Sequence, residues 1–373
     1  MTVADSGSRL AFVLGTSAGG VGRHVAMLAD GLVRRGHQVV VAGPPDTEEV
    51  FGFGRLGARF LPVPIADRPR PLNDLRAVRA LRALRGAHAV HAHGLRAGAL
   101  AGLALLGTRT GLVVTLHNAA TAGGAIGAVH GVLERIVARR ADRVLVVSPD
   151  LGERMAALGA GRVEAAVVPA PALPPSGRGA QEVRAELGTQ DRPVLLTIAR
   201  LAQQKGLETL LDVAAGFGSG RASGESATRA VFLVAGDGPL RGRLQERIDR
   251  EDLPVRLLGE RGDVGDLLGV ARALLVPSRW EGQPLSVQEA LRAGTPVIAT
   301  AVGGVPSMVG EAGLLVPYGD VAAMREAVER VLADDDLAGA LAEAAARRGG
   351  ELPGPQQALE AVLAVYGGIS RVR

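Results

Sequence analysis

One unit recurs along this chain: a short apolar, β-branched run, a turn containing glycine or proline, and an amphipathic helical stretch. In the first half the runs read as strands at Leu10–Leu14, Gln38–Ala42, Arg59–Val63, Ala89–His91, Leu112–Leu116, Arg143–Val147 and Glu164–Val168. In the second half they fall at Pro193–Ile198, Ala230–Ala235, Val255–Leu258, Ala273–Val276, Pro296–Thr300 and Gly313–Val316. Helical stretches lie between most of them, among them Gly22–Arg35 and Asn73–Leu84. Strands that are apolar throughout, alternating with helices, imply an α/β fold with parallel sheets covered on both faces.

With 373 residues, two domains are expected. The joint is Val168-Pro169-Ala170-Pro171-Ala172-Leu173-Pro174-Pro175, followed by a flexible Ser176–Gly179. The expectation is two doubly wound, Rossmann-like domains at 1–171 and 172–354, with a helix at about 355–373 returning to the first. Open α/β sheets bind ligands outside the carboxyl ends of their strands, so a cleft between two facing sheets is the expected site. Gly218–Thr228, rich in Gly and Ser, reads as a surface loop.

Composition excludes several classes. The longest apolar runs, such as Gly111–Leu116 and Ala271–Pro277, are far short of a membrane span, and Met1–Gly7 does not read as a signal peptide, so the expected location is cytoplasmic. The absence of cysteine removes disulfides, thiolate metal sites and a cysteine nucleophile. Six Phe, two Tyr and one Trp leave little for base stacking, and no nucleic-acid partner is expected.

Among 42 basic residues Lys205 is the only lysine. A chain that otherwise uses arginine keeps a lysine where a compact ammonium on a flexible stem is wanted. Its context is Arg200-Leu201-Ala202-Gln203-Gln204-Lys205-Gly206, directly after a strand. Two cations and a helix start above a parallel sheet suit a diphosphate, and replacing Lys205 should then cost turnover but little stability. A second Gly-rich turn, Gly15-Thr16-Ser17-Ala18-Gly19-Gly20-Val21-Gly22, follows the first strand and allows close backbone approach to an anion. Its spacing is not the G-x-G-x-x-G dinucleotide pattern, which argues against an oxidoreductase. A third element, Ser278 to Leu291, carries Glu281 beside the only tryptophan, and Glu289. Ser286 reads as an N-cap and Glu289 as its capping-box partner, whereas Glu281 has no such structural role in the sequence. Carboxylates suit sugar hydroxyls, and the backbone amides of Leu285–Val287 suit a phosphate.

These elements, with the Gly236-Asp237-Gly238-Pro239 turn, stand in an order and spacing that resembles glycosyltransferase family 4, the retaining enzymes of GT-B fold. The resemblance spans roughly residues 9–366. It implies a nucleotide diphosphate sugar as donor, an acceptor alcohol, and no metal or other cofactor. Arg200 and Lys205 would neutralise the diphosphate, Glu289 would hold the ribose and Glu281 the transferred sugar. Gly19 and Gly20 would present amides to the distal phosphate, with Gly282, Leu285 and Ser286 completing the donor loop. His117 would line the sugar and acceptor site, and His91-Ala92-His93-Gly94 matches a strand-end histidine segment. The Pro169-Ala170-Pro171 joint departs from the Asn-Gly often found in the family, and Gln283-Pro284-Leu285-Ser286 leaves the sugar open. A sugar-nucleotide epimerase or a phosphorylase shares the architecture.

His24, His37, His88, His91 and His130 lack helical metal-ligand spacing, and each reads as a structural residue. Asp334-Asp335-Asp336 contains an Asp-x-Asp but reads as a linker between helices. Charge is uneven: residues 1–170 carry 20 basic and 12 acidic side chains, residues 171–373 carry 22 and 26. Arg76, Arg79, Arg82 and Arg85 spiral around one helix beside Leu75, Val78, Leu81 and Leu84, with Arg68 and Arg70 before them. Arg135, Arg139, Arg140 and Arg143 form a second group. Such a basic surface suits peripheral contact with anionic membranes, and through it a lipid-linked acceptor or a place in envelope glycan synthesis. The other reading is a leucine-docked helix with solvated arginines, in an enzyme acting on a soluble acceptor.

Overall fold

Thirteen strands, all parallel, form two sheets in a computed structural model that describes residues 7–17, 19–66, 70–119, 124–173, 177–217 and 230–369. The first sheet contains β1 (Arg9–Leu14), β2 (Gln38–Gly43), β3 (Arg59–Pro62), β4 (Ala89–His93), β5 (Gly111–Leu116), β6 (Arg143–Val146) and β7 (Val163–Ala165). The second contains β8 (Val194–Ile198), β9 (Val231–Ala235), β10 (Val255–Gly259), β11 (Ala273–Val276), β12 (Val297–Thr300) and β13 (Gly313–Val316). Each expected strand is present, with ends shifted by a few residues. Ala18, Arg68, Pro174, Pro175, Ser176 and the Gly218–Thr228 loop lie outside the described residues.

The sheet orders are β3-β2-β1-β4-β5-β6-β7 and β10-β9-β8-β11-β12-β13. Both are doubly wound, and each order reverses once, between β1 and β4 and between β8 and β11. Loops leaving those strand pairs in opposite directions open a crevice at their carboxyl ends. Apolar strands buried on two faces explain why β4, β5, β9, β11 and β12 have no exposed residue. In the second sheet the faces divide into one core around Phe217, Phe232 and Leu244 and another around Leu196, Leu233 and Val287.

The chain divides into two compact units, Met1–Pro169 with Pro353–Arg373, and Ala170–Leu352. The helix Pro355–Gly367 belongs to the first unit. Its Leu359 lies against Gly31, where an added Cβ would approach to 2.7 Å, and Arg143 Nη2 donates to Gly368 O at 2.8 Å. Tyr366 from this helix is fully buried. In the second unit the joint residue Ala170 donates to Gln288 Oε1 at 2.8 Å and accepts from Arg292 Nη1 at 2.9 Å.

Several local readings change. The first helix is Gly20–Arg34, and the arginine-rich helix is Pro71–Leu81 followed by a 3₁₀ turn at Arg82–Leu84. Ala77, Leu81 and Leu84 dock it, whereas Leu72 and Leu75 are 75% and 47% exposed. Arg85 leaves the stripe, donating to Ala104 O at 3.0 Å and so closing the end of helix Leu95–Ala104. Arg143 is buried and pairs with Glu164 at 3.1 Å. Part of the first unit's positive charge is therefore taken up by internal bonds. Asp334 is the single residue between helices Val321–Ala333 and Asp335–Glu351 and caps the second, accepting from Leu337 N at 2.9 Å, so the acidic triplet joins two helices as expected and also starts the second.

Candidate functional site

At the switch point of the second sheet, the loops after β8 and β11 are locked together. Gly206 adopts φ +63, and an added Cβ would sit 1.9 Å from Pro277 O, so only glycine allows this contact. Gln204 Nε2 donates to Trp280 O at 2.9 Å, and Arg279 N donates to Gln204 O at 2.9 Å. This approach carries Lys205 to Glu281, Nζ to Oε1 at 2.6 Å, and Ser278 Oγ donates to the same oxygen at 2.7 Å. Behind Glu281, Gly303 has φ +52 and an added Cβ there would lie 2.0 Å from Glu281 O, which also accepts from Gly304 N at 2.9 Å.

The Glu281 side chain is 8% exposed and that of Lys205 26%. A buried carboxylate needs partners, and Lys205 and Ser278 supply them. Glu281 thus has a structural role that the sequence did not show. Removing Lys205 would strand a buried charge, so the expectation of little stability loss at that position is replaced by one of substantial loss.

Arg200 is exposed two residues beyond β8 and makes no ion pair with any described residue. Its loop is held by the Gly236–Pro239 turn: Leu201 N donates to Asp237 O at 2.9 Å, and an added Cβ on Gly236 would lie 2.0 Å from Ala199 O.

The helix after Glu281 is Leu285–Arg292 with Pro284 as its N-cap, so Ser286 lies inside the helix and the Ser286–Glu289 capping box does not form. Pro284 sits at φ −63 and ψ 123, and its fixed ring starts the helix two residues earlier than a Ser286 cap would. The first intrahelical donor is Gln288 N, to Pro284 O. Leu285, Ser286 and Val287 therefore direct amides out of the helix end, where an anion is favoured. Gly282 is buried in the preceding loop, and Glu289 is half-buried one turn into the helix.

The first unit's switch point is built from histidines. His91 and His93 alternate along β4, His117 follows β5, and His24 comes from helix Gly20–Arg34. His93 Nδ1 is hydrogen-bonded to His117 Nε2 at 3.0 Å, and the His24 ring lies 5.7 Å from His93 and 5.9 Å from His117. His91 is held by Tyr366 Oη at 2.8 Å and Thr115 Oγ1 at 2.7 Å. Burial pushes His117 down to about 4 and His91 to about 3, with the His117 ring adding to the latter, and puts His24 and His93 well below the usual range. His24 and His91 are therefore members of a cluster and not isolated structural residues, while His88 bonds Tyr366 O at 3.2 Å. Among the described residues no three His, Cys, Asp or Glu side chains form a metal-ligand group. Gly19 is the N-cap of Gly20–Arg34, with φ −133 and nothing within 4 Å of an added Cβ.

Ser278 and Gln204 were missed by sequence reasoning, although Ser278 stands only three residues before Glu281. His24, Thr115 and Tyr366 were also missed, and no local pattern marks them as neighbours of β4.

Two family models match this chain: the glycosyl transferase 4-like domain over residues 19–171 and glycosyl transferases group 1 over residues 192–334. The chain belongs to glycosyltransferase family 4. It is similar to an alpha-D-kanosaminyltransferase of Streptomyces kanamyceticus, 30% identical over 51% of this chain and 48% of that protein. It is also similar to a 2-deoxystreptamine N-acetyl-D-glucosaminyltransferase of Streptomyces fradiae, 35% identical over 38% of this chain and 34% of that one. The chain thus spans about half or less of the length of these relatives. Anabaena HepE, solved with UDP and glucose, superposes with a TM-score of 0.80 over 96% of this chain and 99% of that one, at 18% identity. The chain therefore has the GT-B fold, with two Rossmann-like domains. No helix among its described residues is long and apolar enough to cross a membrane.

Proposed function

We propose that this family-4 member moves a glycosyl group from a nucleoside diphosphate sugar to an acceptor hydroxyl, retaining the anomeric configuration and using no metal ion. The observation that carries this reading is the Lys205–Glu281 contact, which joins a diphosphate-type cation to a sugar-type carboxylate at the switch point of the second sheet. In the reaction the bond from the anomeric carbon to the diphosphate oxygen breaks, a bond to the acceptor oxygen forms, and the acceptor proton is lost. Arg200, Lys205 and the amides of Leu285–Val287 neutralise the charge that develops on the departing diphosphate, where each preorganised group is worth about 10²–10³ in rate. Glu281 accepts from hydroxyls of the transferred sugar, Glu289 from the ribose, and Gly19 and Gly20 present amides to the distal phosphate. Gly282 and Ser286 complete the donor loop, and His117 lines the sugar and acceptor site.

A small polyhydroxylated acceptor of the aminocyclitol class is supported by the 2-deoxystreptamine in the name of the Streptomyces fradiae relative. A lipid-linked acceptor is the second reading, favoured by the exposed Leu72 and Leu75 beside the exposed Arg76, Arg79 and Arg82. The test is a thermal-shift screen of nucleoside diphosphates and their sugars, followed by product analysis with both acceptor classes in the presence of EDTA. The expected product keeps the donor's anomeric coupling constant. Inversion, or activity lost in EDTA and restored by Mg²⁺, would overturn the corresponding part of the proposal. Co-sedimentation with anionic vesicles at low salt, lost in an Arg76, Arg79, Arg82→Gln variant, would select the lipid reading.

A further inference from the structure

The histidine cluster of the first unit contains two buried nitrogens that their neighbours leave unsatisfied, His24 Nδ1 and His93 Nε2, and the second fixes where the protons of the His93–His117 pair lie. His93 is 2% exposed, and its Nε2 is buried without a hydrogen-bond partner, while its Nδ1 is bonded to His117 Nε2 at 3.0 Å. His117 is half-buried, unlike His24, His91 and His93, so its edge is the one the cluster presents outward.

Two proton arrangements satisfy the His93–His117 bond with both rings neutral. If His117 Nε2–H donates, His93 must carry its own proton on Nε2, which buries an N–H with no acceptor. If His93 Nδ1–H donates, the unsatisfied His93 Nε2 is only a bare lone pair. Buried orphan N–H groups are rarer than under-satisfied acceptors, so the second arrangement is preferred. His117 then carries its proton on Nδ1, the nitrogen that His93 does not use.

We infer that His93 is a positioning residue that holds His117 as its Nδ1–H tautomer, so that the outward edge of His117 donates a hydrogen bond to a substrate oxygen and takes up no proton there. The inference rests on the reading that His117 lines the sugar and acceptor site. It deepens that reading by assigning His117 as a donor to a hydroxyl or carbonyl oxygen, not as the base that removes the acceptor proton. Burial of the pair, which disfavours an imidazolium at either ring, acts in the same direction.

The test begins with the unliganded full chain at pH 7, ¹⁵N-labelled at histidine, with His117 assigned from the spectrum of a His117→Gln variant. Long-range ¹H–¹⁵N correlations distinguish a proton on Nδ1 from one on Nε2. A proton on His117 Nδ1 is expected, and a proton on Nε2 would overturn the inference whatever the activity. Two variants add a kinetic readout. His93→Asn keeps an amide donor close to the position of Nδ1–H and should stay within about threefold of wild-type kcat/KM. His93→Leu removes the donor, should mix the His117 tautomers, and should lower kcat/KM by about tenfold or more, as loss of an orienting partner does for other functional imidazoles. His93→Leu with an unchanged His117 tautomer and wild-type kinetics would refute the positioning role. Wild-type protein with no transfer to any acceptor would count against the transferase reading alone, because the spectrum of the free protein decides the tautomer.

Discussion

The two units share a strand order up to the sixth strand of each and place their chemistry at the same topological point, yet one is neutral where the other is charged. On β4, after β5 and in the helix after β1 stand four imidazoles whose charging burial disfavours, in ring contact or hydrogen-bonded to one another and, through His91, to Thr115 and Tyr366. Beyond β8 and β11 stand an exposed arginine and, in contact with each other, a lysine and a buried carboxylate. The fold therefore fixes where ligands meet the chain, and the loops decide what is recognised there. Neutral imidazoles give directed hydrogen bonds but cannot neutralise a diphosphate. Fixed charges can, provided a partner keeps them soluble in a buried setting when no substrate is bound.

The largest effect should come from breaking the charged side. Lys205→Ala should cut turnover by about 10²–10³ and also destabilise the second unit by about 3 kcal/mol, because Glu281 is left buried and unpaired. Lys205→Arg should restore most of the stability and little of the turnover, since a planar fork does not replace a point charge. Initial rates and melting curves of both variants separate the two losses, and near-normal turnover in both would remove Lys205 from the mechanism.

The glycine that brings the charged pair together should be next. At Gly206 an alanine Cβ would meet backbone, so Gly206→Ala should lower stability by roughly 3 kcal/mol. At Gly19, where the added Cβ meets nothing, the same change should stay within about 0.5 kcal/mol. Any loss of activity in Gly19→Ala then reports a ligand approaching the backbone. Equal melting points for the two variants would contradict the contrast.

The two glutamates divide the donor site more finely. Glu281→Gln should cripple transfer while binding of a bare nucleoside diphosphate stays within about twofold. Glu289→Gln should weaken that binding by about tenfold, or 1.4 kcal/mol. Calorimetric titration of both variants is the measurement, and identical affinities would undo the assignment.

The neutral side is probed by pH. An unfolded chain protonates its histidines below about pH 6.5, whereas folded His117 and His91 hold out to about 4 and 3. Between those limits the unfolded state binds more protons, so stability falls as pH drops. Melting temperature should fall by several degrees between pH 7 and pH 5. A flat profile would mean that water reaches the cluster freely.

The sequence by itself determined the sheets, because strand periodicity and the spacing of strands and helices are set by backbone preferences acting over a few residues. It also singled out Lys205, Glu281 and Glu289, through a lone residue type and its immediate neighbours. Even locally it misjudged one competition: Ser286 has a capping oxygen, but Pro284 fixes φ two residues earlier and starts the helix there. Only the tertiary structure decided that Glu281 is already neutralised by Lys205 across 76 residues, and that Tyr366 reaches His91 across 275. Those contacts arise where helices cross sheets, and packing of that kind leaves no period in the sequence from which a partner could be read. The protonation pattern of the histidines follows from the same cause, since it depends on which buried nitrogen the packing leaves without a neighbour.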